Sequence, residues 1–212
     1  MPGFPTGGEG VAGAWELWIS GPNAQHGSFA RSFFRNFIFN DAEWNLNALD
    51  FHRDPDIANQ KMASILNAEN PELSAFQRGG GRLILYHGWA DAAITPYNTI
   101  QYFEDVRRKM GAQAVDQFAR LYMVPGMSHC LGGPGPNTFD MLTALDTWVE
   151  HGAAPDRIIA SKYKNDYAQL LNLPTGDPIR TRPLCPFPQV ARWDGRGSTE
   201  VASSFQCEIP KT

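Results

Sequence analysis

The sequence has no apolar run approaching the ~18 residues of a membrane span, no internal repeat and no long block of like charge. The net charge of -4 is spread along the chain, so there is no electrostatic footprint for nucleic acid or an anionic membrane surface. The longest basic cluster, Arg107-Arg108-Lys109, closes a helical pattern, where cations complement the helix dipole. Met1 to Gly10 hold neither a basic n-region nor an apolar h-region, which excludes a signal peptide in that stretch. Cysteine is scarce at three residues, with no Cys-x-x-Cys or His-x-x-x-His pair, so no metal site is expected in this chain.

What is present is 212 residues, 42% hydrophobic, enough for one sizeable domain with a core. Sixteen prolines and twenty glycines imply many turns and long loops. Residues 1–75 are aromatic-rich and poorly periodic, and only Asp54 to Asn67 reads as a helix. This region is either a loop-rich extension of the core or part of a lid over a substrate site. From residue 76 the pattern changes. Arg82 to Tyr86 is a short apolar run before a loop, as in a buried parallel strand. Thr95 then N-caps a helix with Pro96 in its first turn, Ile100, Phe103, Val106 and Met110 on one side, and Gly111 as its stop. Phe118 to Val124 is a second strand, Phe139 to His151 a helix, and Arg157 to Tyr163 a third strand. The alternation predicts an α/β sheet of parallel crossovers. The tail from Leu173 reads as an irregular proline-rich loop needing a tether. Cys185 and Cys207 would supply it as a disulfide contributing about 3 kcal/mol, which points to an oxidising compartment; two unpaired thiols are the alternative. Cys130 is left over, as a free thiol or one with its partner elsewhere.

Two segments carry chemistry. Tyr86-His87-Gly88-Trp89-Ala90-Asp91 follows the first strand, and Pro125-Gly126-Met127-Ser128-His129-Cys130 follows the second. Loops after parallel strands open on one edge of the sheet, so Asp91 and His129 can meet across 38 positions. A carboxylate before a histidine, each after its own strand, is the order of acid and base in an α/β-hydrolase triad. The nucleophile is missing: none of Ser20, Ser28, Ser32, Ser64, Ser74, Ser128, Ser161, Ser198, Ser203 and Ser204 stands in a G-x-S-x-G elbow. Ser128 adjoins His129, but neighbours in a tight loop point apart, and it reads as a loop hydroxyl bonded to backbone. His87 and Asp91 have i,i+4 spacing, yet no helix is expected there to align them on a metal. Cys130 is a poor nucleophile, its nearest histidine being adjacent in sequence.

These segments, with Phe33-Phe34-Arg35, Asn70-Pro71-Glu72-Leu73-Ser74-Ala75-Phe76, Gly79-Gly80-Gly81-Arg82 and Arg182-Pro183-Leu184-Cys185-Pro186, resemble the tannase and feruloyl esterase family over nearly the whole chain. Glu72 stands where the family pattern has Asp. The resemblance implies the C-terminal part of an α/β-hydrolase domain over 76–212, preceded by the closing end of a loop-rich lid over 1–75. It implies Asp91 as triad acid, His129 as base, and Cys130 as half of a disulfide whose partner precedes the serine, outside this chain. The family's lid calcium site would also lie upstream, so no cofactor is expected here. Lid aromatics wall the acyl group in the family, which makes Trp15, Trp18, Phe33 and Phe34 candidates, with Ala93 and Ile94 beside the acid; core packing is the alternative for each.

The expectation is therefore a C-terminal portion of a secreted or periplasmic carboxylic ester hydrolase for small aromatic acid esters, inactive alone. A catalytically dead binding module and one half of a split enzyme are the alternatives. Its oligomeric state is open. A cut parallel sheet would leave an unpaired strand edge and poor solubility.

Overall fold

The computed structural model describes residues 3–168, 171 and 173–211. The first third holds α1 (Gln25–Phe33), running directly into a π-helical segment Phe34–Phe39, and α2 (Asp54–Leu66). The sequence pointed only to α2. α1 follows Ala24 without a side-chain cap and fully buries none of its residues, so the usual start signal of a helix is missing. Its aromatic residues continue down one side instead: Phe33 stacks near Phe37, and Phe34 packs on Phe39 and Trp44. Two charged side chains pin this segment through carbonyls. Arg35 donates from Nε and Nη2 to Trp44 O at 3.1 and 2.8 Å, and Lys61 of α2 donates to Ile38 O at 2.5 Å.

After a short α3 (Ser74–Arg78) come β1 (Leu83–Gly88), α4 (Pro96–Met110), α5 (Ala112–Val115) and β2 (Ala119–Val124). β1 and β2 are parallel, in register from Leu83 opposite Ala119 to Gly88 opposite Val124. β2 is covered on both faces, which explains its unbroken apolar composition. Alternation sends Ala119, Leu121 and Met123 to the cluster with Phe103 and Val106 of α4, while Tyr122 and Val124 pack on the other side with Ile158, Ala160 and Leu184. Gly111, at φ +86°, stops α4 as expected. Thr95 precedes the helix but its side chain does not cap it; the hydroxyl donates instead to Gly3 O at 2.8 Å.

The rest departs from the expected parallel sheet. α6 (Met141–His151) is followed by β3 (Ile158–Lys162), which pairs antiparallel with β4 (Arg180–Leu184). The flank of β2 that a third parallel strand would take is held by the tail: Tyr122 bridges Pro186, and Phe187 N–H donates to Leu121 O at 2.7 Å. The tail itself is not irregular. It contains β4, β5 (Val190–Trp193) and β6 (Phe205–Glu208), the last two paired antiparallel. Pro183 lies within β4, whose two-stranded pairing with β3 tolerates the missing N–H, whereas β5 and β6 contain no proline and are short, at four residues each. Cys185 and Cys207 are bonded, joining the end of β4 to β6. Trp148 of α6 is buried beneath the guanidinium groups of Arg82 and Arg120, 5.9 and 5.3 Å from its ring centre. Among the described residues β1 has a strand partner on one side only, and no helix is long and apolar enough to cross a membrane.

Candidate active site

The loops after β1 and β2 lie against each other. Trp89 N–H donates to Val124 O at 2.9 Å, and Ala90 N–H to Met127 O at 3.0 Å. This approach requires Gly88, since a Cβ there would stand 2.2 Å from Met127 O. The second loop is folded on itself: Ser128 N–H bonds Gly132 O, Gly135 N–H bonds Gly126 O, and Gly126 and Gly133 take φ of +72° and +89°. Lys162 of β3, paired with Asp166, donates to Gly133 O at 2.6 Å and ties the loop to the domain.

The result brings Asp91 and His129 together. His129 Nδ1 lies 3.0 Å from Asp91 Oδ2. Facing a carboxylate, Nδ1 carries the proton, which leaves Nε2 as the free acceptor of the neutral ring. His129 is about a third exposed and Asp91 is buried. Both carboxylate oxygens are saturated. Oδ1 accepts the N–H groups of Ala93 and Ile94 at 2.8 and 2.9 Å, and Oδ2 accepts His129 and also His87 Nε2 at 3.1 Å. Burial pushes the Asp91 carboxyl upward, but the donors from His87, Ile94, His129 and Ala93 together outweigh it and hold the group at about 2, against 3.8 for a free aspartate.

The other predicted residues scatter. The Trp18 ring lies 5.0 Å from that of His129, edge to face at 70°. Trp15 meets Phe4 instead. Phe33 and Phe34 pack on each other and on Phe37, Phe39 and Trp44. Ala93 and Ile94 act through their backbone: beyond the two N–H donors, Ala93 O accepts from His26 and Ile94 O from His87, and the Ile94 side chain stands exposed. Cys130 is exposed and free, with φ +65°. Ser128 Oγ is buried and has no hydrogen-bond partner, so it is not the backbone-bonded hydroxyl expected. Among the described residues no hydroxyl bonds His129 Nε2, and no group of three His, Cys, Asp or Glu is placed to hold a metal.

Two histidines escaped the sequence reading. The spacing of His87 suits a metal ligand, yet its ring reaches the Asp91 carboxylate because the chain turns back after β1, with Asp91 N–H on Gly88 O. The i,i+4 spacing was the available signal. His26 sits in α1, far off in sequence, and nothing local marked it.

Residues 3–208 match the family described as tannase and feruloyl esterase. The mono(2-hydroxyethyl) terephthalate hydrolase of Piscinibacter sakaiensis is 46% identical over 143 residues, covering 68% of this chain and 22% of that protein. An uncharacterized esterase of Xanthomonas campestris is 35% identical over 97% of this chain and 41% of its own length. Feruloyl esterase B from Aspergillus oryzae superposes with a TM-score of 0.73 at 28% identity, over 85% of this chain and 37% of that one. The tannin acyl hydrolase from Aspergillus niger gives 0.65 at 25% identity, over 85% and 33%. The fold is that of the α/β-hydrolase esterases. The chain belongs to the tannase and feruloyl esterase family. It spans less than half the length of these relatives.

Proposed function

We propose that this chain supplies the acid and the base of a serine carboxylic ester hydrolase for esters of aromatic acids. The observation that carries the reading is the Asp91–His129 pair, bonded through Nδ1 at 3.0 Å with Nε2 unengaged. In the reaction, His129 Nε2 takes the proton of a serine hydroxyl as its oxygen attacks the ester carbonyl. Asp91 holds the ring in the Nδ1–H tautomer and stabilises the imidazolium. The same proton passes to the leaving alcohol, giving an acyl-serine, which water cleaves by the reverse relay. This relay uses no cofactor. The serine comes from polypeptide outside these 212 residues, since the ten serines here neither form an elbow nor bond His129. Cys130, exposed beside the base, is suited to a disulfide that ties that segment to the site.

Feruloyl, galloyl and terephthalate esters are the substrate class, as the relatives' names suggest. Trp18 supports an aromatic acyl group: its ring walls the base and stacks at 6.4 Å with the exposed Phe29. The Cys185–Cys207 bond favours a secreted or periplasmic setting.

Methyl ferulate and methyl gallate test the reading. The chain alone should not turn them over. Adding a polypeptide that carries the family's serine segment should restore hydrolysis, and His129→Ala should remove it by about 10³-fold or more. Hydrolysis by the chain alone that survives His129→Ala would refute the assignment. Tight binding of these esters with no turnover under complementation would favour a binding module.

A further inference from the structure

The second histidine on the acid has no place in the relay above. His87 Nε2 faces two acceptors, Asp91 Oδ2 and Ile94 O, both at 3.1 Å, so Nε2 carries a proton. Its Nδ1 lies 2.7 Å from Thr99 Oγ1 on α4. With Nε2 protonated and the ring neutral, Nδ1 accepts the Thr99 hydroxyl proton. The side chain is nearly buried, at 11% exposure.

From this geometry we infer that His87 is a positioning residue for the acid–base pair, a Thr99-locked donor that fixes the Asp91 carboxylate so that Oδ2 meets His129 Nδ1. The inference rests on the reading of Asp91 and His129 as acid and base. Without His87, one of the four donors to Asp91 is lost, and it is the one sharing Oδ2 with His129. The backbone donors then hold Oδ1 and His129 alone holds Oδ2, so the carboxylate turns more readily about its Cβ–Cγ bond. His129 then loses its preference for the Nδ1–H tautomer, and the fraction of enzyme with Nε2 ready to accept a proton falls. His26 adds a parallel restraint from α1, donating to Ala93 O at 2.9 Å, but it touches the loop and not the carboxylate.

Nitrogen-15 NMR of the histidine rings in the 212-residue chain reads this directly. In the wild type, His87 should show its proton on Nε2 and His129 on Nδ1. A His87 proton found on Nδ1 in the neutral ring overturns the inference with no variant needed. His87→Ala should convert His129 to a mixture of tautomers, and His87→Gln, whose amide nitrogen reaches as far as Nε2, should restore the Nδ1–H form. An unchanged His129 tautomer in His87→Ala also overturns it. Thr99→Val, which keeps the shape and removes the hydroxyl, should speed exchange of the His87 Nε2–H, and unaltered exchange counts against the Thr99 lock. Asp91→Asn separates the two readings. If it leaves the His129 tautomer unchanged, the acid–base assignment itself fails; if it changes the tautomer while His87→Ala does not, the positioning role alone fails.

Discussion

Gly88 and Met127 meet backbone to backbone: the space for a side chain at Gly88 is filled by the Met127 carbonyl oxygen. This contact presses the loop bearing Asp91 against the loop bearing His129 at the end of two parallel strands.

Gly88→Ala should therefore destabilise the chain by about 2 kcal/mol or more, because a backbone carbonyl must move. Gly10→Ala, with no atom near its Cβ, is the control and should stay within about 0.5 kcal/mol. Urea denaturation of both variants measures the difference.

Asp91 makes stability depend on pH at the acid end. Its carboxyl ionises at about 2 when folded and 3.8 when free, so the folded state favours the ionised form. The resulting stabilisation, about 2 kcal/mol, is fully present above pH ~4 and disappears as pH falls through ~2. In Asp91→Asn this slope between pH 4 and 2 should be absent from the unfolding free energy.

Reduction of the Cys185–Cys207 bond should lower stability by about 3 kcal/mol through the freed loop. The Cys185→Ala/Cys207→Ala variant should match the reduced protein, and thermal unfolding with and without reductant checks both.

Trp18→Ala should leave the Asp91–His129 bond in place and remove the wall beside it. The His129 ring-proton shifts should move as the indole ring current is lost. In the complemented enzyme, kcat/KM for aryl relative to alkyl esters should fall about tenfold, the worth of one good aromatic contact.

The meeting of Asp91 and His129 was legible because parallel strands place their following loops on one edge, so two residues 38 positions apart could be paired from order alone. The Cys185–Cys207 bond was legible because a long proline-rich tail needs a tether. β4 of that tail was not, since Pro183 conceals a strand whose edge does not need the missing donor. α1 escaped for want of a capping side chain.

Local residue order thus determined the strand–loop–helix grammar, the pairing of Asp91 with His129 and the disulfide, each a matter of spacing and residue type. Only the tertiary structure decided that four donors converge on Asp91, that His87 is one of them, and that Trp18 rather than Trp15 faces His129. Those relationships depend on the direction of a loop after its strand and on contact between segments far apart in the chain, and no local pattern encodes either.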